Sequence, residues 1–292
     1  MGRRALSEYK EKAARVLFAV SAAAAIIAVA LICVFLFVEG LPAMFDIGLR
    51  NFLAGQRWRP LDAEPLFGIL PMILGSIYVT AGATLIGVPI GIFTAVFMAR
   101  ICPRPLYRVL KPAVNLLAGI PSVVYGYFGI VVLIPFVRRN FGGDGASMFT
   151  ASLLLGIMIL PTVIAIAETA LRAVPDELYD GAVALGAGHE RAVFTVILPA
   201  AKSGVMAAVI LGIGRAMGET IAVRMVAGNQ TLMRMPNDFF RGVRTLTANV
   251  MIEMGYAEGM HRDALIATGV VLFVFIIIIN VLFSLLIKKD GA

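Results

Sequence analysis

Three charged side chains stand inside one of the most apolar stretches of this chain. Arg215, Glu219 and Arg224 interrupt the run Ser203–Gly228. A charge at the centre of a bilayer costs about 2.5–3.5 kcal/mol on insertion scales. Arg215 and Glu219 are four residues apart, which on a continuous helix gives them one face. An exposed pair of that spacing contributes only about 0.3–0.5 kcal/mol, and arginine before glutamate is the weaker order. The pair must therefore face a bundle interior, a partner or a wet cavity. One reading is an anion pathway. Arg215 supplies a permanently charged fork that suits oxyanion oxygens, and Glu219 holds that fork between ligands. The other is an interhelical salt bridge. Arg224, nine residues from Arg215, either belongs to the pathway or snorkels to an interface.

Other candidates are fewer. Gly119, Pro121 and Ser122 break a third apolar run, which either aims Ser122 and backbone N–H groups at an anion or makes a packing kink. Tyr125 and Tyr127 are expected as interior aromatics. Glu168, near the end of a fourth run, reads as an interface or coupling residue. His189 and His261 are expected in solvated loops. No lysine follows a glycine, so a Walker A loop is absent, as are H-E-x-x-H, C-x-x-C and G-x-S-x-G. An enzyme reading has no constellation to rest on.

The elements that position these residues are membrane helices. Of 292 residues 60% are hydrophobic and 15% charged, and mean hydropathy is +0.92. Soluble domains run about 45–50% apolar and about 25% charged. Disordered, disulfide-rich and ordinary cytosolic classes are excluded, and Cys33 and Cys102 are not expected to pair. Six apolar runs emerge: Val16–Val38, Phe67–Ala99, Pro112–Val137, Ala151–Ala170, Ser203–Gly228 and Ala264–Ile287. About 20 residues span the hydrocarbon. Basic residues in the connections divide 14 against 9 in favour of the side holding both termini. That bias places both termini in the cytoplasm and the connections 39–66 and 229–263 outside. The net charge of +7 then reflects basic cytoplasmic loops, not nucleic-acid binding. Gly87-x-x-x-Gly91 and Gly214-x-x-x-Gly218 are expected to permit close helix approach.

The connection 174–199 carries its own pattern. Pro175, Asp176 and Glu177 start a helix, with proline early and acids in the first turn. Leu178, Ala182 and Leu185 recur at helical spacing, Gly186 and Gly188 stop the helix, and a second apolar run ends at Leu198-Pro199. The result is a short amphipathic helix that lies on lipid or docks a cytoplasmic partner.

This segment resembles the signature of ABC importer permeases, E-A-A-x3-G-x9-I-x-L-P. Asp180, Gly181 and Ala182 take the first three places, Gly186 the glycine, Val196 the isoleucine, and Leu198-Pro199 the last pair. The departures are Asp for Glu, Gly for Ala and Val for Ile. The resemblance implies an all-α integral membrane protein with six transmembrane helices and a type I importer (MetI-like) core. Residues 1–65 then hold the cytoplasmic N-terminus, first transmembrane helix and external segment, and 66–292 the permease core. The coupling segment, about 176–199, inserts in a cleft of an ATP-binding subunit. No cofactor is implied in this chain, since ATP and Mg belong to that subunit.

Two further stretches, 117–129 and 214–229, resemble the phosphate-specific permeases, the PstC type more than PstA. That likeness implies a phosphate importer subunit in the inner membrane. Its partners would be a PstA-type permease, two PstB-type ATP-binding subunits and an external PstS-type phosphate-binding protein. Sulfate and molybdate permeases share the coupling segment, so another oxyanion is the alternative. A stand-alone secondary anion transporter or channel would leave that segment without a purpose.

Overall fold

A computed structural model describes residues 2–231 and 239–289. Arg234, part of the basic stretch 234–244, lies outside them. The described chain is almost wholly helical. Helix α1 (Gly2–Ile47) leads through α2 (Leu49–Ala54) to a small antiparallel hairpin of β1 (Trp58–Arg59) and β2 (Leu66–Phe67), with Trp58 opposite Phe67. Helix α3 (Leu70–Val96) continues into a π-helical turn, Phe97–Ile101. Then come α4 (Arg104–Gly119), α5 (Ser122–Phe128), a π-helical turn at Gly129–Leu133, α6 (Ile134–Phe141) and α7 (Met148–Arg172). Beyond lie α8 (Asp176–Ala184), α9 (His189–Ala192), a π-helical turn at Val193–Ile197 and α10 (Leu198–Ala200). Helices α11 (Lys202–Gly218), α12 (Ile221–Val226), α13 (Leu246–Glu253) and α14 (Met260–Lys289) complete the order.

Five helical stretches among the described residues are long and apolar enough to cross a membrane. They become six when residues 189–200 and 202–218, bent by 71°, count as one span. The third crossing is not 112–137 but Ser122–Phe141. Proline disfavours helical backbone in the residue before it. Ile120 is accordingly extended (φ −69°, ψ 125°) ahead of Pro121, which leaves Pro112 to Gly119 in α4. The fifth run also stops short of Gly228, for α11 ends at Gly218.

Small residues set the packing. Helix α3 lies along α7 with Gly82 on Ser152, Gly87 on Gly156 and Ile159, and Gly91 on Val163. A Cβ on Gly87 would stand 2.6 Å from the Gly156 carbonyl oxygen, so only glycine lets these backbones approach so closely. Gly214 and Gly218 do the opposite of what their spacing suggests. A Cβ on either meets nothing within 4 Å, so the second glycine pair packs no helix among the described residues.

Three apolar clusters mark the levels of the bundle. Trp58, Phe52, Leu246 and Leu265 close one end. Val79, Tyr125, Leu155, Ala216 and Ala222 fill the middle. Val96, Leu171, Val193 and Val205 close the other end, beside α8. Helices α1 and α14 pack together and place Ala43, Met44 and Leu265 at the first end. Their far ends therefore share the side of α8. Residues such as Phe18, Ile26 and Leu31 of α1 stay exposed, as lipid-facing side chains do.

His261 is not in a solvated loop. It is buried in the first turn of α14, where Nε2 lies 2.9 Å from Glu253 Oε2. Trp58 Nε1 donates to the same oxygen at 2.8 Å, and Arg244 pairs with Oε1. The basic stretch ends in this buried lock, because an unpaired carboxylate there would be costly. His189 is exposed and bonds the Tyr179 hydroxyl at 2.7 Å.

Candidate substrate pathway and coupling segment

Two helix breaks meet in the middle of the bundle. Helix α4 ends at Gly119 and α11 at Gly218. An extended residue follows each, Ile120 (φ −69°, ψ 125°) and Glu219 (φ −71°, ψ 124°), and Pro121 after Ile120 is extended too (φ −61°, ψ 145°). The new helices cross at contact distance, Gly126 of α5 fitting against Ala222 and Met225 of α12. Tyr125 is buried here and donates 2.9 Å to the Leu117 carbonyl, satisfying a carbonyl at the end of α4. Tyr127 is exposed, contrary to the expectation of two interior aromatics.

The break changes the relation between Arg215 and Glu219. Their spacing gives one face only if the helix continues, and Glu219 is already outside α11. They form no ion pair. Glu219 Oε1 accepts from the Ala222 N–H at 3.2 Å and so caps α12, while the Thr247 hydroxyl donates 3.3 Å to the Glu219 carbonyl. Arg215 Nη1 donates 2.9 Å to the Thr162 hydroxyl, its one hydrogen bond among the described residues. Thr162 lies about 20 Å from one end of α7 and about 15 Å from the other, at ~1.5 Å per residue. A half-buried guanidinium thus sits near mid-bundle with no carboxylate beside it. Arg224 is exposed on α12, and neither it nor Ser122 has a side-chain hydrogen bond among the described residues.

Glu219→Gln keeps an acceptor oxygen for the Ala222 N–H and holds the protein level at the wild-type value, so a change in its uptake reports the lost charge. Glu219→Ala loses the cap, worth about 0.5–2 kcal/mol, and lowers both protein level and uptake. Uptake normalised to protein level separates this role from a charge effect.

The connection 174–199 has the helix start and glycine stop that its sequence pattern predicts. Helix α8 starts after Pro175 with Asp176 and Glu177 in its first turn and buries none of its residues. Gly186 turns the chain at φ +88°, a conformation that favours glycine. Asp180, Gly181 and Ala182 lie on α8, and Leu198 and Pro199 start α10. Beneath α8 is a clasp that residue patterns alone do not reveal. Arg100, in the turn after α3, donates to Asp176 Oδ1 at 2.7 Å and to the Leu171 and Val174 carbonyls at 2.9 and 3.0 Å. Arg172 reciprocates from α7, donating 2.8 Å to the Met98 carbonyl.

Glu168 ties α4 to the same corner, accepting from Tyr107 Oη, Lys111 Nζ and Arg172 Nε at 2.7, 2.7 and 2.9 Å. The hydrogen bond to this carboxylate, and burial after it, push the Tyr107 phenol above its ordinary pKa, so it remains a donor. The signal for the cluster is present in the sequence: a carboxylate inside an apolar run, with Arg172 four residues on. The partners on α4 have no such signal.

The family model described as the binding-protein-dependent transport system inner membrane component matches residues 87–289. The chain belongs to this family. It is an ABC importer permease of binding-protein-dependent transport, and that class works with an ATP-binding subunit and a substrate-binding protein. A probable ABC transporter permease protein, YqgH of Bacillus subtilis, is 39% identical over 87% of this permease and 84% of its own length. A phosphate transport system permease protein PstC of Mesorhizobium japonicum is 34% identical, over 89% and 86%. A PstC 2 protein of Mycobacterium tuberculosis is 32% identical, over 90% and 89%. Among solved structures, an inward-facing MetNI methionine ABC transporter superposes with a TM-score of 0.63 at 20% identity, covering 76% of this permease and 95% of that chain. That likeness gives the fold, the MetI-like core. The inner membrane is the permease's place, as the family description states.

Proposed function

We propose that this permease carries inorganic phosphate into the cytoplasm as one subunit of an ATP-driven importer. The observation that carries the reading is Arg215, a guanidinium at mid-bundle whose one hydrogen-bond partner is a neutral hydroxyl. A permanently charged fork in a low-dielectric site suits phosphate oxygens, and a neutral partner leaves it free to exchange ligand. Relatives named phosphate transport system permeases, at 34% and 32% identity over most of the chain, support the choice of anion. Arg224 and Ser122 extend the pathway on either side of the paired breaks. The Glu219 charge near them keeps the anion from binding too tightly to leave.

The working assembly pairs this chain with a PstA-type permease, two PstB-type ATP-binding subunits that hold ATP and Mg and perform the hydrolysis, and an external PstS-type binding protein. Residues 1–65 form the N-terminal segment, first crossing and external segment, and 66–292 the permease core. The α8 side faces the cytoplasm with both termini, which agrees with the excess of basic residues there. The binding protein presents phosphate to the opposite end. ATP closes the motor dimer, and Asp180, Gly181, Ala182, Gly186, Leu198 and Pro199 hold the coupling segment that moves with it. The two permeases rock between outward and inward access. Specificity for phosphate lies mainly in the binding protein.

The test is labelled phosphate uptake in cells lacking this chain and restored with it, with sulfate and molybdate as competitors. Restored phosphate uptake that neither competitor reduces supports the reading. Restored sulfate or molybdate uptake without phosphate keeps the permease and overturns the anion.

A further inference from the structure

We propose that Glu168 is a positioning residue that makes α4 move as one body with the coupling helix, so that motor closure reaches the helix break at Gly119–Ser122. The inference deepens the importer reading above and rests on it for the direction of motion.

The argument begins with cost. The Glu168 side chain is 2% exposed, and a buried ion pair stabilises a fold little or not at all relative to apolar residues of similar volume. Apolar contacts already hold α4, because Val114 packs with Met98 and Ile164. What the charges add is geometry. Tyr107 and Lys111 are four residues apart on α4 and reach the two different oxygens of one carboxylate. That fixes the rotation and register of α4 on α7, which a methyl contact does not. The third donor, Arg172, carries the restraint onward to the Met98 carbonyl, and its guanidinium stacks 4.7 Å over the Tyr107 ring.

The restraint has two ends. At one, only Ala173, Val174 and Pro175 separate α7 from α8, and Arg100 binds the Asp176 carboxylate, the Leu171 carbonyl of α7 and the Val174 carbonyl between the two helices. Helix α8 therefore cannot swing without moving the Glu168 corner. At the other end, about 9 Å along α4 beyond Lys111, the Leu117 carbonyl accepts from Tyr125 of α5. Helix α5 in turn seats against α12 at Gly126. The chain of contacts from α8 to the paired breaks is continuous, and Glu168 is the single acceptor that joins α4 to it.

The experiment uses the complete complex in proteoliposomes, with Cys33 and Cys102 replaced and spin labels at exposed positions. The pair Glu177 and Val109 spans α8 and α4, and the pair Glu177 and Leu61 spans the two ends of the bundle. On ATP binding in the wild type, the Glu177–Leu61 distance changes while Glu177–Val109 stays constant. In Glu168→Gln and in the milder Tyr107→Phe, Glu177–Val109 changes as well. ATP hydrolysis stays within about twofold, and phosphate moved per ATP falls about tenfold, inside the 5–150-fold span of typical coupling between sites. Glu168→Asp restores part of it. A Glu177–Val109 distance that changes in the wild type overturns the inference, as does a Glu177–Leu61 distance that does not. A parallel fall of hydrolysis and uptake in the variants overturns it too, leaving Glu168 a fold residue. The label distances need no phosphate, so a wild-type complex that moves another anion defeats the substrate reading alone.

Discussion

Replacing Arg215 by alanine lowers phosphate uptake at least about a hundredfold while leaving the amount of permease in the membrane unchanged. Each hydrogen bond to a charged group contributes about 1.5–3 kcal/mol. A fork that offers two of them to a passing oxyanion therefore supports a loss of two decades or more, at about 1.4 kcal/mol per decade. The fold loses little. Among the described residues Arg215 donates a single bond, to Thr162, and removing its charge lightens the cost of membrane insertion. Arg215→Lys keeps the charge but not the planar fork, and recovers uptake only in part. Labelled uptake, scaled to immunoblotted membrane protein, decides the matter. Retained uptake in Arg215→Ala would move the arginine to a structural role, and a loss matched by a fall in protein level would do the same.

How far the sequence alone reached depends on what each pattern assumes. Apolar run length is a direct consequence of bilayer thickness, so the crossings were legible as runs, although the third was placed too early and the fifth was taken as unbroken to Gly228, and α8 was legible because its start, face and stop are local. Helical spacing assumes an unbroken helix, and there the reading failed. Arg215 and Glu219 lie on opposite sides of the break after Gly218, which turns a presumed ion pair into a guanidinium bonded to Thr162 and a helix cap. A glycine pair states only that a helix side is small. Gly87 and Gly91 meet α7, whereas Gly214 and Gly218 meet nothing among the described residues. Long-range polar clusters were the least legible. Glu253 draws Trp58, Arg244 and His261 from three separate segments, and no local spacing connects them. The same holds for Glu168, whose partners Tyr107 and Lys111 lie about sixty residues earlier.

Leu185→Asp separates the permease from its ATP-binding subunit without unfolding it. Leu185 follows the last residue of α8, just before the Gly186 turn, and is 91% exposed. Helix α8 has no fully buried residue; Tyr179 packs against the cluster of Val96, Leu171 and Val193, while Leu178, Val183 and the following Leu185 point outward. Exposed apolar side chains on a short helix anchored firmly at its root make sense as anchors for a partner cleft. Leu185 caps α8 through its backbone N–H, a bond that any non-proline residue keeps, and replacing an exposed side chain shifts stability by about 0.5 kcal/mol or less. The melting temperature of the isolated permease in detergent therefore stays at the wild-type value. Loss of an interface anchor costs about 2 kcal/mol or more, roughly thirtyfold in affinity, and a buried aspartate adds its own desolvation penalty. The ATP-binding subunit is then largely absent when the tagged permease is purified, and uptake is lost with it. Leu61, also apolar and exposed but in the segment at the opposite end of the bundle, supplies the control. Leu61→Asp leaves co-purification intact. Normal recovery of the ATP-binding subunit with Leu185→Asp would place the docking contact elsewhere on the cytoplasmic face.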